Sequence, residues 1–109
     1  MKLLILVLLL FSSREYFPVK VADMAAGKNF HTHVSVIGKV SYVGKESDGD
    51  THIRLEDGGS FIVAECIPML PCPLVPQVGE TLQVWGISRK DGEHKWYEVH
   101  PVERMEVVK

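Results

Sequence analysis

Glycine turns divide most of this chain into short segments. Asp48-Gly49, Asp57-Gly58-Gly59, Val78-Gly79 and Asp91-Gly92 separate stretches rich in β-branched and aromatic residues. Val34 to Val43 alternates, with Val34, Val36, Val40 and Tyr42 on one face and Gly38 where a long strand can bend. Thr51 to Leu55, Phe61 to Cys66, Thr81 to Ser88 and Lys95 to Val102 supply four more strands. Five strands at this spacing predict one all-β domain, a small barrel or sandwich, within the 109 residues. Between the third and fourth strands, Pro68, Pro71, Pro73 and Pro76 exclude a regular helix and predict an extended cover across one end.

The beginning of the chain has a different character. Leu3 to Phe11 is an unbroken apolar run, preceded by Lys2 and followed by Ser12-Ser13-Arg14. It falls short of the roughly 20 residues that span a bilayer but suits the hydrophobic region of a signal peptide. The expectation is a leader and linker over residues 1–23 and a folded domain over 24–109, exported to the periplasm or secreted, with no membrane span left after processing. A buried first helix, an uncleaved anchor, or a start at Met24 are the alternatives.

Cys66 and Cys72 lack the paired C-x-x-C spacing of a zinc site. In an oxidising compartment they would join and clamp the loop, contributing about 2 kcal/mol. In a reducing compartment they would be two buried thiols.

From Met24 onward there are nine Lys and Arg against twelve Asp and Glu. That balance disfavours general nucleic-acid binding, which draws its affinity from cations on phosphates. It leaves room for a local patch from Lys39, Lys45, Arg54, Arg89 and Lys95. Catalytic motifs are sparse: there is no G-x-S-x-G elbow and no phosphate-cradling glycine loop. Instead, eight of the chain's acid and imidazole groups gather in Asp48-Gly49-Asp50-Thr51-His52, Asp91-Gly92-Glu93-His94 and Trp96-Tyr97-Glu98-Val99-His100-Pro101.

Taken with Val-Ser-Val-Ile-Gly-Lys-Val, Val-Ala-Glu-Cys-Ile-Pro and Val-Trp-Gly-Ile, these segments resemble an OB-fold. More narrowly, residues 19 to 107 are similar to small exported bacterial domains with D-G-D-x-H, A-E and E-x-H-P-V motifs. The resemblance implies a five-stranded barrel in the order 1-2-3-5-4, with the Pro-rich connection in place of a helix between strands 3 and 4. The second, third and fifth strands then lie side by side. Strand parity puts Thr51, Ile53, Leu55, Ile62, Ala64, Cys66, Tyr97 and Val99 inward. Asp50, His52, Arg54, Glu65, Trp96, Glu98 and His100 are left to form one polar face.

Three readings of that face follow. In the first it is structural, with Arg54 pairing with Glu65 or Glu98 across strands and Asp48 and Asp50 bonding turn amides. In the second it holds a divalent metal such as zinc or manganese on His52, Glu98 and His100, with Glu65 or Asp50 nearby. In the third it binds a macromolecule, with nucleic acid among the candidates, or a small ligand. OB barrels bind through the second and third strands, and Phe61, Trp85, Trp96 and Tyr97 are candidate stacking platforms, although Trp85 and Tyr97 would equally fill the barrel. Asp48-Gly49-Asp50-Thr51 also resembles the D-G-D-T turn of staphylococcal-nuclease-like domains, which implies calcium on Asp50. The arginine those enzymes place in the following strand has no match in Phe61-Ile62-Val63-Ala64. The expected function is therefore an exported binding module, with a metal-dependent phosphodiester hydrolase as the alternative. Convergence of the outward side chains to ligand distance favours metal, whereas Arg54 lying between the carboxylates favours an ion-pair network.

Overall fold

The computed structural model describes residues 15–29 and 31–109. The apolar run Leu3 to Phe11 lies outside the described residues. The elements are β1 (Phe17–Pro18), α1 (Val21–Ala25), β2 (His33–Lys45), β3 (Thr51–Asp57), β4 (Ser60–Cys66), β5 (Thr81–Lys90) and β6 (Tyr97–Val107). Strands β2 to β6 close into a barrel in the order β2-β3-β4-β6-β5, with β5 returning to β2. Counted along the barrel, that is the 1-2-3-5-4 order implied by the resemblance. The β4–β6 pairing is parallel, through Val63 opposite Glu98 and Ala64 opposite Val99.

Closure depends on β2 serving two neighbours. Its first half pairs with β5 and its second half with β3, and Lys39 faces both Thr81 and Glu56. Gly38, where the sequence suggests a bend, stands next to this change of partner. A Cβ there would lie 3.0 Å from the Leu55 Cβ and 3.3 Å from the Glu56 carbonyl oxygen, so any larger residue would press its neighbours back by a few tenths of an ångström. The register then shifts between Val40 and Tyr42. This irregularity resets the alternation, because one extra residue turns every later side chain to the opposite face. Tyr42, expected on one face with Val34, Val36 and Val40, is instead 52% exposed while they are buried, and Val43 packs on the core.

The interior is aliphatic, with Val34, Val36, Val40, Ile53, Leu55, Ile62, Ala64, Leu82, Val84 and Val99 all essentially inaccessible. Each large side chain buried in this way contributes about 1.5–3 kcal/mol. Val21 and Met24 of α1 are also fully buried in this cluster. Residues 16–23, expected to be leader and linker, thus carry β1, paired in parallel with β2, and the core residue Val21.

No helix interrupts the Pro-rich connection between β4 and β5. It is tied down by a Cys66–Cys72 disulfide, and Cys72 and Leu74 pack against the core. Among the described residues, no helix is long and apolar enough to cross a membrane.

Candidate functional site: a histidine and carboxylate cluster beside an aromatic belt

The cluster begins in the β2–β3 turn. The Glu46 amide donates to the Asp50 carbonyl at 2.9 Å, and the Gly49 amide, at φ +92°, donates to the Glu46 carbonyl at 3.0 Å. The Asp48 carboxylate accepts from the Asp50 amide at 2.9 Å, the turn-stabilising role expected of it. The Asp50 side chain is buried, with 8% of the residue exposed, and lies against His100.

From there the register assembles the groups. His52 and Glu65 are direct partners across β3 and β4. His52 Nδ1 lies 2.6 Å from Glu46 Oε1 and 3.4 Å from Glu65 Oε1. On the other side, His100 Nε2 of β6 lies 3.2 Å from both Asp50 Oδ2 and Glu65 Oε2. Glu65 thus sits between two imidazoles and turns one oxygen to each. The donor atoms of Glu46, His52 and Glu65, and those of Asp50, Glu65 and His100, lie within 4.8 Å of one another in each set. Imidazole nitrogen with carboxylate oxygen suits zinc, manganese and similar ions, so either group can hold a metal.

This arrangement is electrostatically uneven. Glu65 is 5% exposed, and its pKa is pushed from an ordinary 4.5 to about 9, first by burial and then by the neighbouring charges of Glu98, Glu46 and Asp50 and a hydrogen bond with Glu46. At neutral pH and without a cation, Glu65 therefore carries a proton.

Two sequence expectations need correction. Glu98, proposed as a metal ligand with His52 and His100, belongs to neither set. It is fully buried, Oε1 accepting from Arg89 Nε at 3.2 Å and Oε2 from Trp96 Nε1 at 3.0 Å. Glu46 stands beside His52 instead. Arg54, expected to pair with Glu65 or Glu98, makes no ion pair among the described residues. Its guanidinium lies 4.2 Å above the Phe61 ring, and its Nε is buried without a hydrogen-bond partner. The residue paired with Glu98 is Arg89, its register partner across β5 and β6.

An aromatic belt borders the cluster. Tyr42 meets His52 edge-on at 5.7 Å, His52 meets Trp96 at 5.4 Å, Trp96 meets Phe61 at 6.4 Å, and His94 stacks on Trp96 at 4.4 Å. Gly44 makes room for this, since any side chain there would collide with the Tyr42 ring. The β5–β6 loop that presents His94 and Trp96 is fixed by Asp91, whose carboxylate accepts from the Glu93 and His94 amides at 2.7 and 2.8 Å. Those bonds hold the Asp91 carboxyl below the usual carboxylate range. A groove of about 360 Å³ opens beside the belt, lined by Ser41, Tyr42, His52, Arg54 and Glu56.

Of the other aromatic candidates, Tyr97 packs on the core. Trp85 lies outside the barrel with Arg104 4.4 Å above its ring. His31 and His33 lie elsewhere, stacked on Phe17 and edge-on to Tyr16.

No protein-family model matches the sequence, and neither does any curated protein. Solved structures do match in shape. The S. pombe Stn1-Ten1 complex aligns with TM-score 0.68 at 13% identity, over 88% of this chain and 80% of that one. Yeast Stn1 and Ten1 align with TM-score 0.61 at 19% identity, over 93% and 69%. The asparaginyl-tRNA synthetase of Pyrococcus horikoshii aligns with TM-score 0.63 at 17% identity, over 84% of this chain.

The barrel is an OB fold. The chain spans only 23% of the synthetase, so the likeness there is to one part of a larger protein.

Proposed function

We propose that this chain is an exported OB-fold binding module that takes single-stranded nucleic acid on the outer face of β3 and β4. The observation carrying the proposal is the coincidence of belt and cluster with the face OB barrels use, the second and third strands and the loops beside them. Here those are β3, β4, the β2–β3 turn with Glu46 and Asp50, and the β5–β6 loop with His94 and Trp96. Tyr42, Phe61 and Trp96 offer π-faces for bases, and Arg54 adds a cation beside Phe61. The net charge of −2 supplies little general attraction for phosphate, so affinity rests on stacking, with a shallow salt dependence. The Cys66–Cys72 disulfide and the leader-like run Leu3 to Phe11 support export.

The test is fluorescence anisotropy of labelled oligo-dT and oligo-rU titrated with the full chain, with and without zinc or manganese. Saturable binding is expected, weakened about 10-fold by Trp96→Ala, in line with about 1–3 kcal/mol per stacked base. No binding of either oligonucleotide under any metal condition contradicts the reading.

A second reading, a metal-dependent phosphodiester hydrolase, has one observation in its favour: the histidines and carboxylates converge to ligand distance while Arg54 stays out of the network. In the same mixtures it predicts cleavage that requires the ion and disappears in His52→Ala and His100→Ala.

A further inference from the structure

The cluster has a near-symmetry that a single metal ion does not explain. Two imidazole nitrogens each face two carboxylate oxygens, and the carboxylate common to both is Glu65. One nitrogen carries at most one proton, so it can donate one good hydrogen bond but not two. Two carboxylates converging on each imidazole are better matched to a cation. We propose that this is a two-ion centre. Glu46 and His52 Nδ1 hold one divalent transition-metal ion, Asp50 and His100 Nε2 hold a second, and Glu65 bridges them, Oε1 to the first and Oε2 to the second. The proposal does not depend on what the aromatic belt binds.

The distances agree with this. Bonds of 2.0–2.2 Å in tetrahedral geometry place neighbouring ligand atoms about 3.4 Å apart. The His52–Glu65 contact is 3.4 Å, and the His100–Glu65 and His100–Asp50 contacts are both 3.2 Å. The His52–Glu46 pair, at 2.6 Å, is the one that must open, and Glu46 has the freedom to do so with a side chain 38% exposed.

Charge points the same way. Glu46 and Asp50 each join Glu65 in one of the two sets, the Arg89 guanidinium is committed to Glu98, and that of Arg54 lies over Phe61 rather than on a carboxylate. Gathering carboxylates in a partly buried site is costly unless cations or protons offset them. Two divalent ions would do so, each with three protein ligands and one position left for water or a phosphate oxygen. A shared carboxylate would hold the ions roughly 4 Å apart, a spacing at which both can engage one phosphate group.

The test uses the full chain, stripped with EDTA and dialysed against zinc for elemental analysis, or loaded with manganese for electron paramagnetic resonance. Two ions per chain and an exchange-coupled manganese spectrum are expected. Glu65→Gln, nearly isosteric, should keep the barrel's circular dichroism, lose the coupling and weaken binding by about 10-fold or more. Glu46→Gln, at the exposed rim where folding is not at stake, should leave one ion, as should His52→Ala. One ion or none in the unmodified chain overturns the proposal. Two ions without coupling, or coupling that survives Glu65→Gln, overturns the bridge.

Discussion

Glu65 is where burial and charge conflict most directly. Its pKa in the folded protein, about 9, exceeds its ordinary 4.5, so between those values the folded chain binds the extra proton and the unfolded chain does not. Its contribution to stability is thus fully present below about pH 4.5 and is lost as the pH rises through 9. Thermal melts in EDTA should show the unmodified protein losing stability between pH 4.5 and about 9 more steeply than Glu65→Gln, which mimics the protonated side chain. Parallel curves would contradict the electrostatic account. Much of this site could be read from strand parity: His52, Glu65 and His100 project from β3, β4 and β6 on the predicted face. Glu46 could not, because it lies beyond the end of β2, where alternation no longer fixes direction and the turn's hydrogen bonds do. Glu98, expected on the outward polar face, is fully buried, and its partners come from the β5–β6 register and the adjoining loop, neither of which period-two alternation encodes.

The strands themselves were legible because aspartate and glycine turns bound nearly every one. The misplacement of Tyr42 marks the limit of that method. Ser41 carries no sign of an irregularity, yet the shift beside it sends Tyr42 to the outside and so completes the aromatic belt. Gly86 has a comparable role in β5. The register with β6 shifts on either side of it, and a Cβ there would collide with the Pro101 carbonyl oxygen and come within 3.1 Å of the Val102 Cα. Both obstacles are backbone, which cannot swing aside. Gly86→Ala should therefore cost about 2 kcal/mol or more, read as a lower midpoint in urea unfolding. An unchanged midpoint would mean that β5 and β6 approach less closely than described.

Two devices outside the five strands complete the barrel. One is α1, whose Val21 and Met24 join the core cluster across residue 23, where the expected boundary between leader and domain falls. A strongly apolar run upstream hides a five-residue helix, which is too short to show a period of its own. The other is the Pro-rich strap, held by Cys66–Cys72. Reduction should lower stability by about 2 kcal/mol, the loop-closure value for so short a loop, and a double Cys→Ser variant should match the reduced protein. Equal stability of oxidised and reduced protein would contradict a clamping role.

The claim on which the account rests is that ligand enters over β3 and β4, between the β2–β3 turn and the β5–β6 loop. Nitrogen-15 spectra of the full chain titrated with oligo-dT in the presence of zinc test it most directly. Shifts should concentrate at Tyr42, His52, Arg54, Phe61 and the Trp96 indole, while Trp85 and the Phe17–His31 contact stay still. Shifts centred on Phe17 and His31, or none anywhere, would contradict it.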